Sequence, residues 1–164
     1  MHTSSPSLCT DTRVRAAYAE TAGMYRIVPE AVALPENVRD VVALVEWASR
    51  TGAALTPRGA GSGIPGNAVG AGVIVDLRER MPRMLEIDPV QRVALTSAAI
   101  THAELSAEAA GHGLRLPPDP SSARWATLGG MVACNAAGAR TLRHRCSGCA
   151  RPCSRAAAGW AAHR

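Results

Sequence analysis

The 164 residues of this chain suit one domain, and 47% of them are apolar, as in ordinary globular proteins. Phenylalanine and lysine are absent, so the core must rest on Val, Leu, Ile, Ala and Met, and all 18 basic residues are arginine. The net charge of +5 is a property of the tail: residues 1–138 carry 12 Arg against all 13 acidic residues, whereas 139–164 carry six Arg and no acid. The body therefore lacks the basic footprint of a nucleic-acid binder. No run approaches the roughly 18 consecutive apolar residues of a membrane span. Met1 to Pro6 lacks the charged start and apolar run of a secretory signal, so the expected location is cytoplasmic.

In chain order, residues 1–12 are polar and read as a disordered terminus. Arg13 to Met24 is Ala-rich and reads as a short helix, and Ile27 to Leu34 as a strand broken by Pro29. Asn37 to Arg50 is the clearest helix. Val38, Val41, Val42, Val45 and Ala48 recur at helical spacing, with Asn37 to cap its start and Gly52 its end. Strands are expected at 53–56, 72–77, 84–88 and 92–98, with Asp76 and Asp88 capping the turns that follow. Thr101-His102-Ala103-Glu104 has capping-box spacing and starts a helix to about Ala110. The stretch 117–122 is an ordered turn, and Ala126 to Ala137 a further helix with Gly129 and Gly130 near its start. This mixture of elements argues α/β or α+β.

Two stretches carry chemistry. Pro57-Arg58-Gly59-Ala60-Gly61-Ser62-Gly63-Ile64-Pro65-Gly66 lies between two short strands. Glycines let a ligand approach the main chain, and successive inward amides form an anion-binding nest. The loop is neither a Walker motif nor a G-x-G-x-x-G turn opening a helix. Arg58 could pair with a phosphate, but bracing of the loop is favoured, because the amides can hold an anion alone. The second stretch joins Asp119-Pro120-Ser121-Ser122 to Thr127-Leu128-Gly129-Gly130 and then Asn135 to Gly138. It gathers hydroxyls and amides at a helix start, with two glycines where a flat ring could lie.

With Val32–Pro35, Gly72–Leu77, Leu85–Pro89 and Leu116, these motifs resemble the FAD-binding domain of FAD-linked oxidases and dehydrogenases (PCMH-type, the vanillyl-alcohol oxidase kind). Within it they are most similar to the flavoprotein subunits of the D-lactate dehydrogenase and glycolate oxidase branch. The resemblance runs from about Tyr18 to about His144. It implies an α+β fold of two small α/β subdomains enclosing FAD, with residues 58–63 against the pyrophosphate and Pro57 and Gly66 also among the cofactor-binding residues. It also implies that Asp119, Ser121, Ser122, Thr127, Gly129 and Gly130 line the ribityl chain and isoalloxazine ring. Asn135, Gly138 and Arg140 continue that wall. The two loops are then opposite walls of one slot. No histidine lies in 57–66, so noncovalent FAD is expected. The implied activity is hydride transfer from a 2-hydroxy acid to flavin N5. The implied partners are a small-molecule substrate and an electron-acceptor or iron–sulfur subunit, with no nucleic acid.

After His144 the sequence departs from that family. From Arg143 onward it has no Leu, Ile, Val, Met, Phe or Tyr, too little apolar matter to offset ordering entropy. The expected organisation is a disordered 1–12, a partial FAD-binding domain at 13–144 and an irregular, frameshifted tail at 145–164. This predicts a truncated FAD-binding fragment, inactive by itself, with weak FAD binding. Two alternatives use the same residues. Cys146, Cys149 and Cys153 with His144 or His163 could bind metal, or the arginines nucleic acid; or the chain is a non-functional product. Cys9 reads as a surface thiol, Cys134 as a buried small residue, and His102 as a surface residue at an exposed helix start. No nucleophile–base arrangement or catalytic carboxylate pair stands out.

Overall fold

The computed structural model describes residues 6–138 and the backbone of 160–161. The chain divides into two compact units, Met1–Pro82 and Arg83–Arg164.

The first unit is built on a parallel sheet of β1 (Ala31–Ala33), β2 (Leu55–Arg58) and β3 (Val73–Asp76), in the order β1-β3-β2. β3 is central and buried along its whole length. Ile74 aligns with Val32 and Thr56, and Asp76 with Arg58. Alternation assigns the two faces. Ala31, Ala33, Val73 and Val75 pack with Leu44 of helix α2 (Val38–Thr51), while Val32 and Ile74 are fully buried on the opposite face.

Asn37 caps α2 by accepting from the amides of Arg39 and Asp40, and Gly52 ends it in the left-handed conformation with φ 73°. Both capping expectations hold. The expected apolar stripe does not mark the buried face, because Leu44 and Ala48 are buried whereas Val38, Val42 and Val45 are at least half exposed. The sheet sets the helix rotation, and the larger Leu44 and Trp47 fill the contact.

Helix α1 is shorter than expected, Thr12–Ala17, and is capped by Asp11. The residues before it are held more firmly than a polar terminus suggests. Cys9 exchanges two backbone hydrogen bonds with Val32 at 2.8 and 2.9 Å, and Leu8 packs on the core. The strand expected at 27–34 is confined to β1, preceded by a fully buried Pro29 whose carbonyl accepts from Arg15.

The second unit holds an antiparallel hairpin, β4 (Leu85–Asp88) and β5 (Val93–Thr96), with β6 (Trp160–Ala161) paired to β5. Asp88 caps its turn by accepting from the amides of Val90 and Gln91. Helices α3 (His102–Gly111) and α4 (Leu128–Ala133) complete the unit. Ile100, Leu105, Leu116, Ala126, Leu128 and Met131 form its core, against the inward residues Leu85, Ile87 and Ala94 of the hairpin.

The capping box of α3 is complete. Thr101 accepts from the Glu104 amide, and the Glu104 carboxylate accepts from both the amide and the hydroxyl of Thr101. These two bonds, aided by Arg83, hold the Glu104 carboxyl down at about 2, against an ordinary 4.5. A carboxyl depressed by folding stabilises fully above its unfolded value and loses that effect as pH falls through its folded value. The advantage of the native chain over Glu104→Gln is therefore expected to be constant above pH 4.5 and to shrink as pH approaches about 2. Urea midpoints measured across this range check it, and a difference that persists at the acid end excludes the carboxylate as its source.

Candidate functional site

The glycine-rich loop is the crossover between β2 and β3. Two adjacent parallel strands need a long return connection, usually a helix. Here residues 59–72 make that return without one. Pro57 and Arg58 are the last residues of β2, and Gly59, Ala60, Gly61, Ser62, Gly63 and Gly66 follow in the loop. Gly61 and Gly66 take left-handed angles, φ 65° and 82°, that a side chain would strain. Among the described residues, no backbone carbonyl accepts from the amides of 59–63. They remain available to an anion.

Arg58 braces this loop. Its guanidinium donates to the carbonyls of Tyr18 (3.1 Å), Ala68 (3.3 Å) and Glu20 (2.8 Å) and lies 5.2 Å from the Tyr18 ring centre. Burial lowers its pKa. The Tyr18 hydroxyl donates to Asp76 at 2.7 Å, and burial followed by this bond raises the phenol's pKa. The other Asp76 oxygen accepts from the amides of Arg78 and Glu79, the turn cap expected of it.

In the second unit, the candidate residues gather around one short pairing. Thr101 bridges Thr127, the Leu128 amide donates to Ile100, and the Gly129 amide to Ala98. Thr127 caps α4 by accepting from Gly130. The amides of 128–130 are thus consumed within the protein, and α4 has six residues, so the expected gathering of exposed amides at its start is not found. Gly129 is required where Ala98 approaches, since an added Cβ would lie 2.7 Å from the Ala98 Cβ. Gly130 is more open, its nearest neighbour being the Thr127 hydroxyl at 3.2 Å.

Asp119 and Ser122 are half-buried and Ser121 is exposed, on a tight turn in which the Ser122 carbonyl accepts from Trp125 and Ala126. Asn135 is left-handed at φ 47°, and Gly138 presses on the Asp119 carbonyl. Gly138 is therefore brought against Asp119 by a close backbone approach, and Gly130 is tied to Thr127 by the helix cap. Arg140 lies outside the described residues, as do His144, Cys146, Cys149, Cys153 and His163. Among the described residues no cluster of metal-ligating side chains occurs, and no helix is long and apolar enough to cross a membrane.

Two sequence expectations are corrected. His102 is buried, 6% exposed, with Nε2 2.6 Å from the Pro118 carbonyl and Nδ1 3.2 Å from the Ser106 hydroxyl. The segment 116–118 folds over the helix start and removes it from water. Cys134, expected inside, is exposed, because α4 turns Leu128 and Met131 to the core instead. Tyr18 and Asp76, which complete the brace, were not expected as site residues. Their pairing spans 58 positions, and no local pattern announces it.

A family model described as FAD binding domain matches residues 29–149. The D-2-hydroxyglutarate dehydrogenase of Haemophilus influenzae is 30% identical over 84% of the chain, which covers 14% of that protein. The D-lactate dehydrogenase of Archaeoglobus fulgidus is 37% identical over 69% of the chain and 25% of its own length. The glycolate oxidase subunit GlcD of Escherichia coli is 32% identical over 84% of the chain and 28% of its own length. The chain thus spans less than a third of each of these relatives. Among solved structures, an alkyldihydroxyacetonephosphate synthase superposes with TM-score 0.67 and 26% identity, over 80% of this chain and 29% of that one. A 6-hydroxy-D-nicotine oxidase from Arthrobacter nicotinovorans shares the fold at TM-score 0.59, over 69% of this chain and 25% of its own. On the family model, which covers most of the sequence, the chain belongs to the FAD-binding domain family.

Proposed function

We propose that this chain is the FAD-holding part of a flavin-dependent oxidoreductase acting on a 2-hydroxy acid of the lactate or glycolate type. The observation that carries the reading is the crossover loop, whose amides at 59–63 meet no backbone carbonyl among the described residues. A chain of free amides with left-handed glycines fits a diphosphate. The Asp119–Gly138 group offers hydroxyls and a side-chain-poor wall at Gly130, which fits a ribityl chain and a flat ring.

Bound FAD would supply the hydride acceptor, and the protein supplies positioning. Residues 59–63 hold the anionic end. Ser121 and Ser122 offer hydroxyls to the polyol, while Thr127, buried with its hydroxyl accepting from the Gly130 amide, holds the start of α4 behind them. With no histidine in the loop to form a ring linkage, the association is noncovalent. A small hydroxy acid is the proposed substrate of the whole protein, with an electron-acceptor subunit as its partner.

Titration of the labelled full chain with FAD tests the reading. Amide resonances of 59–63 and of Thr127 to Gly130 are expected to move together, and flavin absorbance near roughly 450 nm to co-elute with protein. Resonances that stay fixed at millimolar FAD exclude the assignment.

A further inference from the structure

The segment Tyr18–Val28 forms a strap against the glycine-rich loop. It closes on itself as a small hairpin. Ile27 donates to the Ala19 carbonyl at 2.9 Å, Glu20 bridges Arg26, and their side chains form an ion pair at 3.1 Å. Ala19, within it, is fully buried.

Four ties bind this strap to the loop. The Ala22 amide donates to the Gly61 carbonyl at 3.0 Å. Gly23 approaches the Ile64 carbonyl so closely that no Cβ could stand there. The Tyr25 ring lies where a side chain on Gly66 would go, 2.6 Å from that Cβ position. Arg58 fastens the strap carbonyls of Tyr18 and Glu20 and, with the same guanidinium, the Ala68 carbonyl at the far end of the loop.

The first tie has a directional consequence. In a trans peptide the carbonyl and the following N–H point in opposite directions. With its carbonyl drawn to the strap, the Gly61–Ser62 peptide must send the Ser62 N–H away from the strap, toward the open side of the loop. We propose that the strap is a positioning element that presets the loop for a diphosphate, with Tyr18 and Arg58 as positioning residues rather than phosphate ligands. This deepens the proposed function and rests on it. The fork of the guanidinium, not its charge, is what the strap requires: Nη1 meets the Tyr18 and Ala68 carbonyls and Nη2 the Glu20 carbonyl, two separated donor points that the single nitrogen of a lysine cannot occupy at once.

Arg58→Lys in the full chain tests this, with hydrogen exchange at Ala22 and FAD titration read at the Ser62 amide. The expected result is about a tenfold loss both of Ala22 protection and of FAD affinity, equal to that in Arg58→Gln, with riboflavin affinity unchanged. Riboflavin carries no diphosphate, so a merely destabilised domain would lose both ligands. If lysine preserves affinity while glutamine does not, the charge acts on the phosphate directly and the proposal is overturned. Should Arg58→Lys not fold, Tyr18→Phe decides, since it removes only the bond to Asp76. An unchanged Ala22 exchange rate and FAD response in that variant overturn the strap. Failure of the unsubstituted chain to bind FAD overturns the proposed FAD-holding function instead, while Ala22 exchange still reports whether Arg58 fastens the strap.

Discussion

Gly138→Ala is expected to unfold or open the second unit's candidate wall. The new Cβ would collide with the carbonyl carbon and oxygen of Asp119, and the Pro120 nitrogen would lie 2.9 Å away. All three are backbone atoms, which cannot swing aside as a side chain does. Overpacking of this kind costs about 1–3 kcal/mol, and more where the main chain must yield. Two of the residues proposed to face the flavin, Asp119 and Gly138, move apart in the process. Denaturant midpoints should fall, and the FAD response at Thr127 to Gly130 should vanish while that at 59–63 persists. Gly111→Ala supplies the matched control. No atom lies within 4 Å of its added Cβ and it ends α3, so its effect should be neutral or stabilising by up to about 1 kcal/mol. Equal behaviour of the two variants would show that the Asp119 contact does not constrain the turn.

His102→Ala should be costly for a different reason. The Pro118 carbonyl can only accept, so Nε2 carries the proton toward it, and Nδ1 is left to accept from Ser106. Alanine leaves a buried carbonyl without its donor and a void in place of the ring. An unmet buried acceptor costs about 1–3 kcal/mol, and the void adds to it. Set against the roughly 5–15 kcal/mol that holds a typical domain, this is a large share. Gln places an amide nitrogen near the Nε2 position, whereas Asn reaches only as far as Nδ1. His102→Gln is therefore expected to recover more stability than His102→Asn. Thermal melts of the three variants compare them, and an equal loss in Gln and Asn would mean that the bond to Pro118 contributes little.

Features set by neighbouring residues were legible in the sequence. Asn37 and Gly52 bound α2, Thr101 and Glu104 close their box, and Asp76 and Asp88 cap the turns that follow their strands. Each depends on three or four consecutive residues whose geometry is the same in any protein. The glycine-rich crossover was legible too, because a concentration of glycine between apolar runs has few other uses. Features set at a distance were not. The buried face of α2 passes through Leu44 rather than Val45, since the sheet beneath it, not the helix period, selects the rotation. His102 looks like a solvent-facing helix start until the 116–118 segment covers it. Gly129 reads as an opening for a ring, yet its missing side chain makes room for Ala98, some thirty positions earlier. A pattern in the chain can announce that a side chain must be absent without announcing what fills the space.

The order β1-β3-β2 carries a consequence for synthesis. The two outer strands are made first and share no hydrogen bonds with one another, while the strand that both require is made last. A growing chain that has emerged only to residue 72 holds two extended segments with nothing between them. The sheet can therefore assemble only once Val73 to Asp76 have left the ribosome.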